Sequence, residues 1–345
     1  MVVRTDLARA FTPVLAAVAL AAAGPTASAS AATTGVTASV ALPLPGYSAL
    51  VADSSRHHLF VSAGGGSDAI AVTDFAGKPV ATITGEPGAS ALALSRNGHI
   101  LYVALTGADA ISAIDTSTLK ETARYTTGTG AAPVHLAVIG DDVWFSYGAS
   151  GGAGIGKLDP RHATVALTPE HSFYAAPLLA AAPSAPGVLV AGETYVEPSV
   201  VVDYNVSSGA PVQAAATNPY LSGGCTFVSG LAITPDGADV VVSCGSPYYA
   251  TSFTLSHLVA DGTYQTGPYT TAVAVARHGE IAVGTTTGAD SVYLFDPGDS
   301  AATAAYRLTG AEVDGLAWDR DGRTLFAVTT DGYGANPVLN VIDAG

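Results

Sequence analysis

The chain has 345 residues, a net charge of -15 and only 12% charged residues, with 39 Gly and 20 Pro. That length can bury a large core, and low charge with many turn formers points to an all-β protein. Acidity with only three Lys, at 78, 120 and 157, argues against nucleic acid and anionic membrane surfaces, whose attraction needs Lys and Arg patches.

The N-terminus carries Arg4 and Arg9, an uncharged apolar segment over 10–23, and small-residue sites at Ala27-Ser28-Ala29 and Ala29-Ser30-Ala31. This is the pattern of a secretory signal peptide over residues 1–31. The apolar run is too short for a stable span and no other follows, so membrane insertion is not expected. With no Cys near the cleavage site a lipid tether is not expected either, and the protein should be secreted and extracellular. Two Cys, Cys225 and Cys244, in an oxidising compartment predict one disulfide.

Residues 36–44 alternate enough for a strand, and Pro43 and Pro45 confine it to an edge or terminus. A module then recurs: an apolar strand, a polar turn, a second apolar strand, a Gly-rich loop, a third strand ending in Asp, and a last strand. It is plainest at Ile100-Leu101-Tyr102-Val103-Ala104, Thr106-Gly107-Ala108-Asp109 and Ile111-Ser112-Ala113-Ile114-Asp115-Thr116. Asn97-Gly98, Asp236-Gly237, His278-Gly279 and Asp321-Gly322 are signals of tight hairpins joining the first two strands.

The residues opening the second strands, Leu59, Leu101, Val143, Leu189, Val241, Ile281 and Leu325, recur every 40 to 52 residues, the period of propeller blades. Seven such residues predict seven blades. The third-strand marker falls at Asp74, Asp115, Asp159, Asp203, Asp296 and Asp343, and the fifth module has Thr254-Leu255-Ser256-His257 instead. The chain ends at Gly345 just after the third strand of the seventh module. Segment 36–44 is therefore expected to supply the missing outer strand and close the ring. The expected architecture is an all-β, seven-bladed β-propeller in one domain over 33–345, closed by an N-terminal strand that completes the last blade, and a monomer.

The run Leu101-Tyr102-Val103, the Gly107 loop, Ile111-Ser112-Ala113-Ile114-Asp115-Thr116 and the returning Pro133 resemble the YVTN repeat of YncE-like seven-bladed propellers. Tyr102-Val103-Ala104-Leu105 departs from the namesake tetrapeptide, and modules three to five are degenerate. The resemblance implies a ring-shaped interaction platform and no defined reaction.

The channel-lining first strands begin Leu50-Val51-Ala52, Leu92-Ala93-Leu94, Leu136-Ala137-Val138, Leu179-Ala180-Ala181, Leu231-Ala232-Ile233, Val273-Ala274-Val275 and Leu316-Ala317-Trp318, with no ionisable residue. Acid/base or metal chemistry would thus be confined to the mouth, where His135, Glu312 and Asp314 stand beside Ser48, Ser90, Ser229 and Thr271. The aromatic loops Glu193-Thr194-Tyr195-Val196-Glu197, Tyr248-Tyr249, His171-Ser172-Phe173-Tyr174 and Asp331-Gly332-Tyr333 should open on one face with Asn218 and Tyr220. Tyr there suits recognition of a protein, peptide or glycan. The candidate ligand-binding set is His135, Glu193, Tyr195, Tyr248, Tyr249, Glu312, Asp314 and Tyr333, with no catalytic residue, metal or cofactor expected. The alternative is a propeller lyase or lactonase using His135, Glu193, Glu312 and Asp314, with a possible divalent metal. Gly148-Ala149-Ser150-Gly151-Gly152 matches the nucleophile pattern G-x-S-x-G, but a β-like Ile155-Gly156-Lys157-Leu158 follows where a helix is required. Gly64-Gly65-Gly66 likewise lacks the helix and Lys of a phosphate cradle. Trp144 and Trp318 should be core.

Overall fold

The computed structural model describes residues 35–149, 151–168, 173–217, 225–286, 290–332 and 334–345. Segment 1–31, expected to be a signal peptide, lies outside them, as do Ser150, His171, Ser172, Asn218, Tyr220 and Tyr333. The described residues form seven four-stranded antiparallel sheets and no helix, as the repeat spacing predicts.

Blade 1 comprises β2 (Ala49–Asp53), β3 (His58–Ser62), β4 (Ile70–Asp74) and β5 (Pro79–Ile83), paired in that order. Blade 2 holds β6 (Ala89–Leu94), β7 (Ile100–Leu105), β8 (Ala110–Asp115) and β9 (Lys120–Thr126). Blade 3 holds β10 (Pro133–Ile139), β11 (Asp142–Tyr147), β12 (Gly154–Asp159) and β13 (Thr164–Leu167). Blade 4 holds β14 (Leu178–Ala180), β15 (Val188–Gly192), β16 (Val201–Asn205) and β17 (Val212–Ala216). Blade 5 holds β18 (Thr226–Ile233), β19 (Asp239–Ser246), β20 (Tyr249–Thr254) and β21 (Ala260–Gln265). Blade 6 holds β22 (Thr270–Val275), β23 (Ile281–Thr285), β24 (Val292–Phe295) and β25 (Ala304–Tyr306).

Blade 7 takes β26 (Ala311–Trp318), β27 (Thr324–Thr329) and β28 (Val338–Asp343) from the C-terminus and its outer strand β1 (Val36–Ala41) from the other end of the chain. The closing pairs run from Val36 opposite Ile342 to Ala41 opposite Val338, and the Ser39 hydroxyl donates to Asn340 Oδ1 at 2.7 Å. The expected closure by an N-terminal strand is thus what the sheet shows.

The core is divided into seven apolar clusters, one between each pair of neighbouring blades. Second and third strands are packed on both faces, which is why they read as apolar runs instead of alternating. All seven second-strand residues that set the repeat period are buried. Trp144 is core as expected, packed between blades 3 and 4, while Trp318 is partly buried with its indole donating to Ala274 O at 3.3 Å.

Two details differ from the sequence reading. The first hairpins are wider than two-residue turns. In blade 2 Gly98 N–H donates to Ser95 O and Ser95 N–H to Ile100 O, so a four-residue turn ends on Gly98 at φ +71°, and Asn97 keeps a negative φ. The same arrangement recurs at Gly237 and Gly322, and at Gly279 in a hairpin one residue shorter, where Ala276 N–H donates to Glu280 O. In blade 4 the turn-capping role of Asp74 and Asp115 falls to Asn205, whose Oδ1 accepts from Ser207 N–H at 3.0 Å. Asp203, the expected marker, is instead buried within β16, and burial raises its carboxyl.

Candidate ligand-binding face

Every first strand starts on the same face of the ring, which therefore also carries the loops between second and third strands and between blades. At this upper face the blades are stitched by hydroxyls. Ser48 Oγ donates to Ser90 O at 2.8 Å, Ser90 Oγ to Val134 O at 2.9 Å, Ser229 Oγ to Thr270 O at 2.7 Å and Thr271 Oγ1 to Ala311 O at 2.7 Å. Each bond runs from one blade to the next, joining blades 1 to 3 and 5 to 7, and Tyr47 links blade 1 to blade 7 by donating to Asp314 O at 2.7 Å. The hydroxyls that flanked the candidate site in the sequence are therefore structural. The small residues beside them serve the same approach: a Cβ on Gly230 would lie 2.9 Å from Val273 N in the next blade.

Just inside this face each blade contributes one aliphatic side chain to the axis: Leu50, Leu92, Leu136, Leu179, Leu231, Val273 and Leu316. All seven line a chamber of about 220 Å³. Leu136, Leu179, Leu231 and Leu316 also line a larger cavity of about 950 Å³ on the lower side, walled by Val51, Ala93, Ala137 and Val275. The ring is thus a waist dividing a lower funnel, whose wall also carries Arg96 and Asp142, from a small upper chamber.

Two polar side chains line that chamber, His135 and Asp314. The sequence places both ahead of the first strands, at the mouth. In the structure they lie on β10 and β26, where the register slips at bulges between Pro133 and Leu136 and between Ala311 and Leu316. The axial cavity therefore does hold ionisable groups, above the ion-free waist, because bulges turn residues inward that regular alternation would not. Both side chains keep some surface, but it faces the chamber, and protein surrounds them otherwise. Burial pushes the His135 imidazole down to about 4 and the Asp314 carboxyl up to about 6. The hydroxyl of Tyr47, buried near Asp314 and Glu312, is held well above its ordinary value and stays protonated.

The other candidates separate into distinct places. Glu312 accepts a hydrogen bond from the Thr330 hydroxyl and does not line the chamber. Glu193 is buried between blades 3 and 4; its Oε1 accepts from Tyr174 N–H at 2.7 Å and its backbone oxygen from Val228 N–H at 3.0 Å. It fixes two surface segments and does not reach the axis. Among the described residues no three His, Cys, Asp or Glu side chains gather closely enough to hold a metal ion. The Gly148–Gly152 run leads into β12, a strand. Cys225 and Cys244 form the expected disulfide, with 19 residues of separation at the top of blade 5. On the chain-entropy argument that staple is worth about 3 kcal/mol.

Tyr195 and Tyr248 are among ten large apolar side chains left exposed among the described residues. Four of these, Val80, Leu167, Val212 and Val259, lie on or beside outer strands. The other six, Tyr174, Tyr195, Phe227, Tyr248, Tyr269 and Val313, are between 42% and 68% exposed and all belong to the upper face of blades 4 to 7. Tyr248 and Tyr269 meet edge to face with ring centroids 5.2 Å apart, and Tyr249 is half-buried beside them at the start of β20.

The sequence missed Phe227, Tyr269 and Val313. Phe227 and Tyr269 occupy the position two residues before the stitching hydroxyl, where blade 2 has Gly88; all three have positive φ, +53°, +59° and +69°. An aromatic residue there costs roughly 1–2 kcal/mol of backbone strain that Gly avoids. An exposed, strained aromatic side chain contributes little to folding, so its presence points to use. Phe227→Gly is accordingly expected to hold or raise the melting temperature, whereas Phe227→Val, β-branched in the same backbone, should lower stability by about 1–2 kcal/mol in calorimetry.

Compared with known proteins, the chain matches no family model and no curated protein.

Proposed function

We propose that this is a secreted, non-catalytic β-propeller that binds a partner, a protein, peptide or glycan, through its upper face. The observation that carries the reading is the concentration of exposed aromatic residues on blades 4 to 6, two of them held at a cost in strain. Monomeric proteins seldom expose contiguous apolar area without a use, and Tyr and Phe give contact area at low entropy cost. The resemblance to YVTN repeats supports the same reading. The alternative of a lyase or lactonase has less support, because Glu193 accepts from the Tyr174 backbone and Glu312 from Thr330. The disulfide accords with export and removal of residues 1–31, which N-terminal sequencing of culture-medium protein would check.

Glycan and peptide arrays probed with the purified chain test the binding face. At least one class should retain the protein, and Phe227→Gly combined with Tyr248→Ala and Tyr269→Ala should cut the signal at least tenfold. Val212→Ser, on the outer strand of blade 4, should leave it unchanged. Equal signals from the triple variant and the control would refute the assignment.

A further inference from the structure

The chamber beneath the aromatic crescent is a built site with no protein partner for its two polar side chains. Among the described residues no hydrogen bond or ion pair reaches the Asp314 carboxylate or the His135 imidazole; only their backbone groups are engaged, by Tyr47 and Ser146. The two come from blades 7 and 3, separated by two blades on one side of the ring and three on the other, so they approach the axis from nearly opposite walls. The other side chains lining the chamber are aliphatic.

Blade 7 goes out of its way to place Asp314. Its first strand carries four residues, Glu312 to Gly315, in a bulge where the other first strands that slip have one or two, and Asp314 sits there at φ +52°. A carboxylate withdrawn from bulk water without a counter-charge is costly unless something arrives to neutralise it. At neutral pH that carboxylate is ionised, while His135, depressed by burial, is uncharged and offers a lone pair without repelling a cation. The other ionisable groups near Asp314 leave this intact: the Tyr47 hydroxyl is protonated and Glu312 is bonded to Thr330. The flanking strands add none at this level, β22 having no ionisable residue and β2 only Asp53 at its far end.

We propose that the chamber binds an organic cation, an alkyl ammonium or guanidinium group, between the Asp314 carboxylate and the His135 imidazole. This rests on the upper face being the binding face. At about 30 Å³ per water-sized group, 220 Å³ holds roughly seven such groups, enough for a guanidinium or ammonium on a short alkyl stem. Exposed Val313 adjoins Asp314, so the crescent borders the chamber, and its Tyr faces can attract the same cation. The net charge of -15 adds long-range steering of the right sign. The cation's source is either a free amine or a Lys or Arg side chain of a peptide.

Isothermal titration of the purified chain with agmatine, with N-acetyl-Gly-Lys-Gly, and with the same blocked peptide also acetylated on its lysine tests this. The cationic probes should bind one to one at pH 7.5, acetylation should abolish binding, and affinity should fall about tenfold at pH 5, where Asp314 is largely protonated. Asp314→Asn should lose at least tenfold. Tighter binding of agmatine identifies a free amine as the source, and tighter binding of the peptide a side chain. Should Asp314→Asn fold poorly, the imidazole nitrogen shifts of His135 in the unaltered chain must still move on saturation. No one-to-one binding of either cation at millimolar concentration, or equal binding by Asp314→Asn, overturns the proposal. Array signal that survives Asp314→Asn but vanishes in the crescent variant likewise overturns the chamber while keeping the binding face; array signal indifferent to both removes the binding face too.

Discussion

A chain that begins at Leu42 should melt about 10 °C lower than one that includes β1 and should associate through its open edge. Five residue pairs join β1 to β28, and the seventh blade has no other outer strand. At about 1 kcal/mol net for each pair's share of hydrogen bonding and packing, the loss is on the order of 5 kcal/mol. For a chain of this size 1 kcal/mol corresponds to roughly 2 °C. The consequence exceeds that figure because β28 would be left with unpaired N–H and C=O groups along its length, a template for a second chain. Val40 also packs on Gly77 of blade 1, where a Cβ would lie only 2.8 Å from its methyl, so the strand ties blade 7 to blade 1 as well as to its own sheet. Calorimetry with size-exclusion chromatography reads both effects, and a synthetic peptide spanning 35–42 should restore part of the loss by strand addition. An unchanged melting temperature and a monomeric profile would show that closure contributes nothing.

The architecture was legible because blade repetition is written in residues whose environment is the same seven times. Leu59, Leu101 and Val143 are buried for one reason, so their spacing reports the period directly. The missing outer strand could be inferred because a propeller cannot leave one blade short without exposing an edge. Turn details were less legible. The positive φ of Gly98 was expected, but whether the preceding Asn97 shares it depends on strand twist and neighbouring packing. Blade 4 escaped the Asp rule because Asn205 makes the same Oδ1 contact, so the chemistry persisted while the letter changed. The site was harder for another reason. Bulges break the period-two alternation that sequence reading relies on, and they are what turn His135 and Asp314 into the chamber. Phe227 and Tyr269 carried a signal that went unread: an aromatic letter at the repeat position where blade 2 keeps a glycine. Glu193 is a different case, since its loop suggested a ligand contact and the structure shows its Oε1 accepting from the Tyr174 backbone.

Single substitutions at His135 and Asp314 should expose two opposed pH dependences that nearly cancel in the unaltered protein. The Asp314 carboxyl rises from 3.8 to about 6 on folding, so its protonated form is the one the fold favours. The stabilisation it provides is complete below pH 4 and disappears as pH climbs through 6. The His135 imidazole falls from 6.5 to about 4, so the fold favours its neutral form. Its stabilisation is complete above pH 6.5 and disappears as pH drops through 4. Each displacement exceeds two pH units, which at 1.36 kcal/mol per unit sets an upper value of about 3 kcal/mol for each group. Between pH 4 and 6.5 the two slopes have opposite signs and similar size, so this pair adds little net pH dependence to the native chain. Asp314→Asn leaves only the His135 slope: its stability, taken relative to the native chain at each pH, should rise by up to about 3 kcal/mol from pH 4 to 6.5. His135→Gln leaves only the Asp314 slope, and its relative stability should fall over the same interval. Other buried carboxylates, Glu86, Asp203 and Glu280 among them, titrate alike in all three proteins and drop out of the differences. Urea unfolding at half-unit steps reads both curves. Curves that stay flat within about 0.5 kcal/mol for both variants would mean that water in the chamber hydrates the two groups as bulk water does. Removing the apolar seal below them by Leu231→Ser should then be without effect on the slopes, whereas a dry chamber predicts that this substitution flattens both.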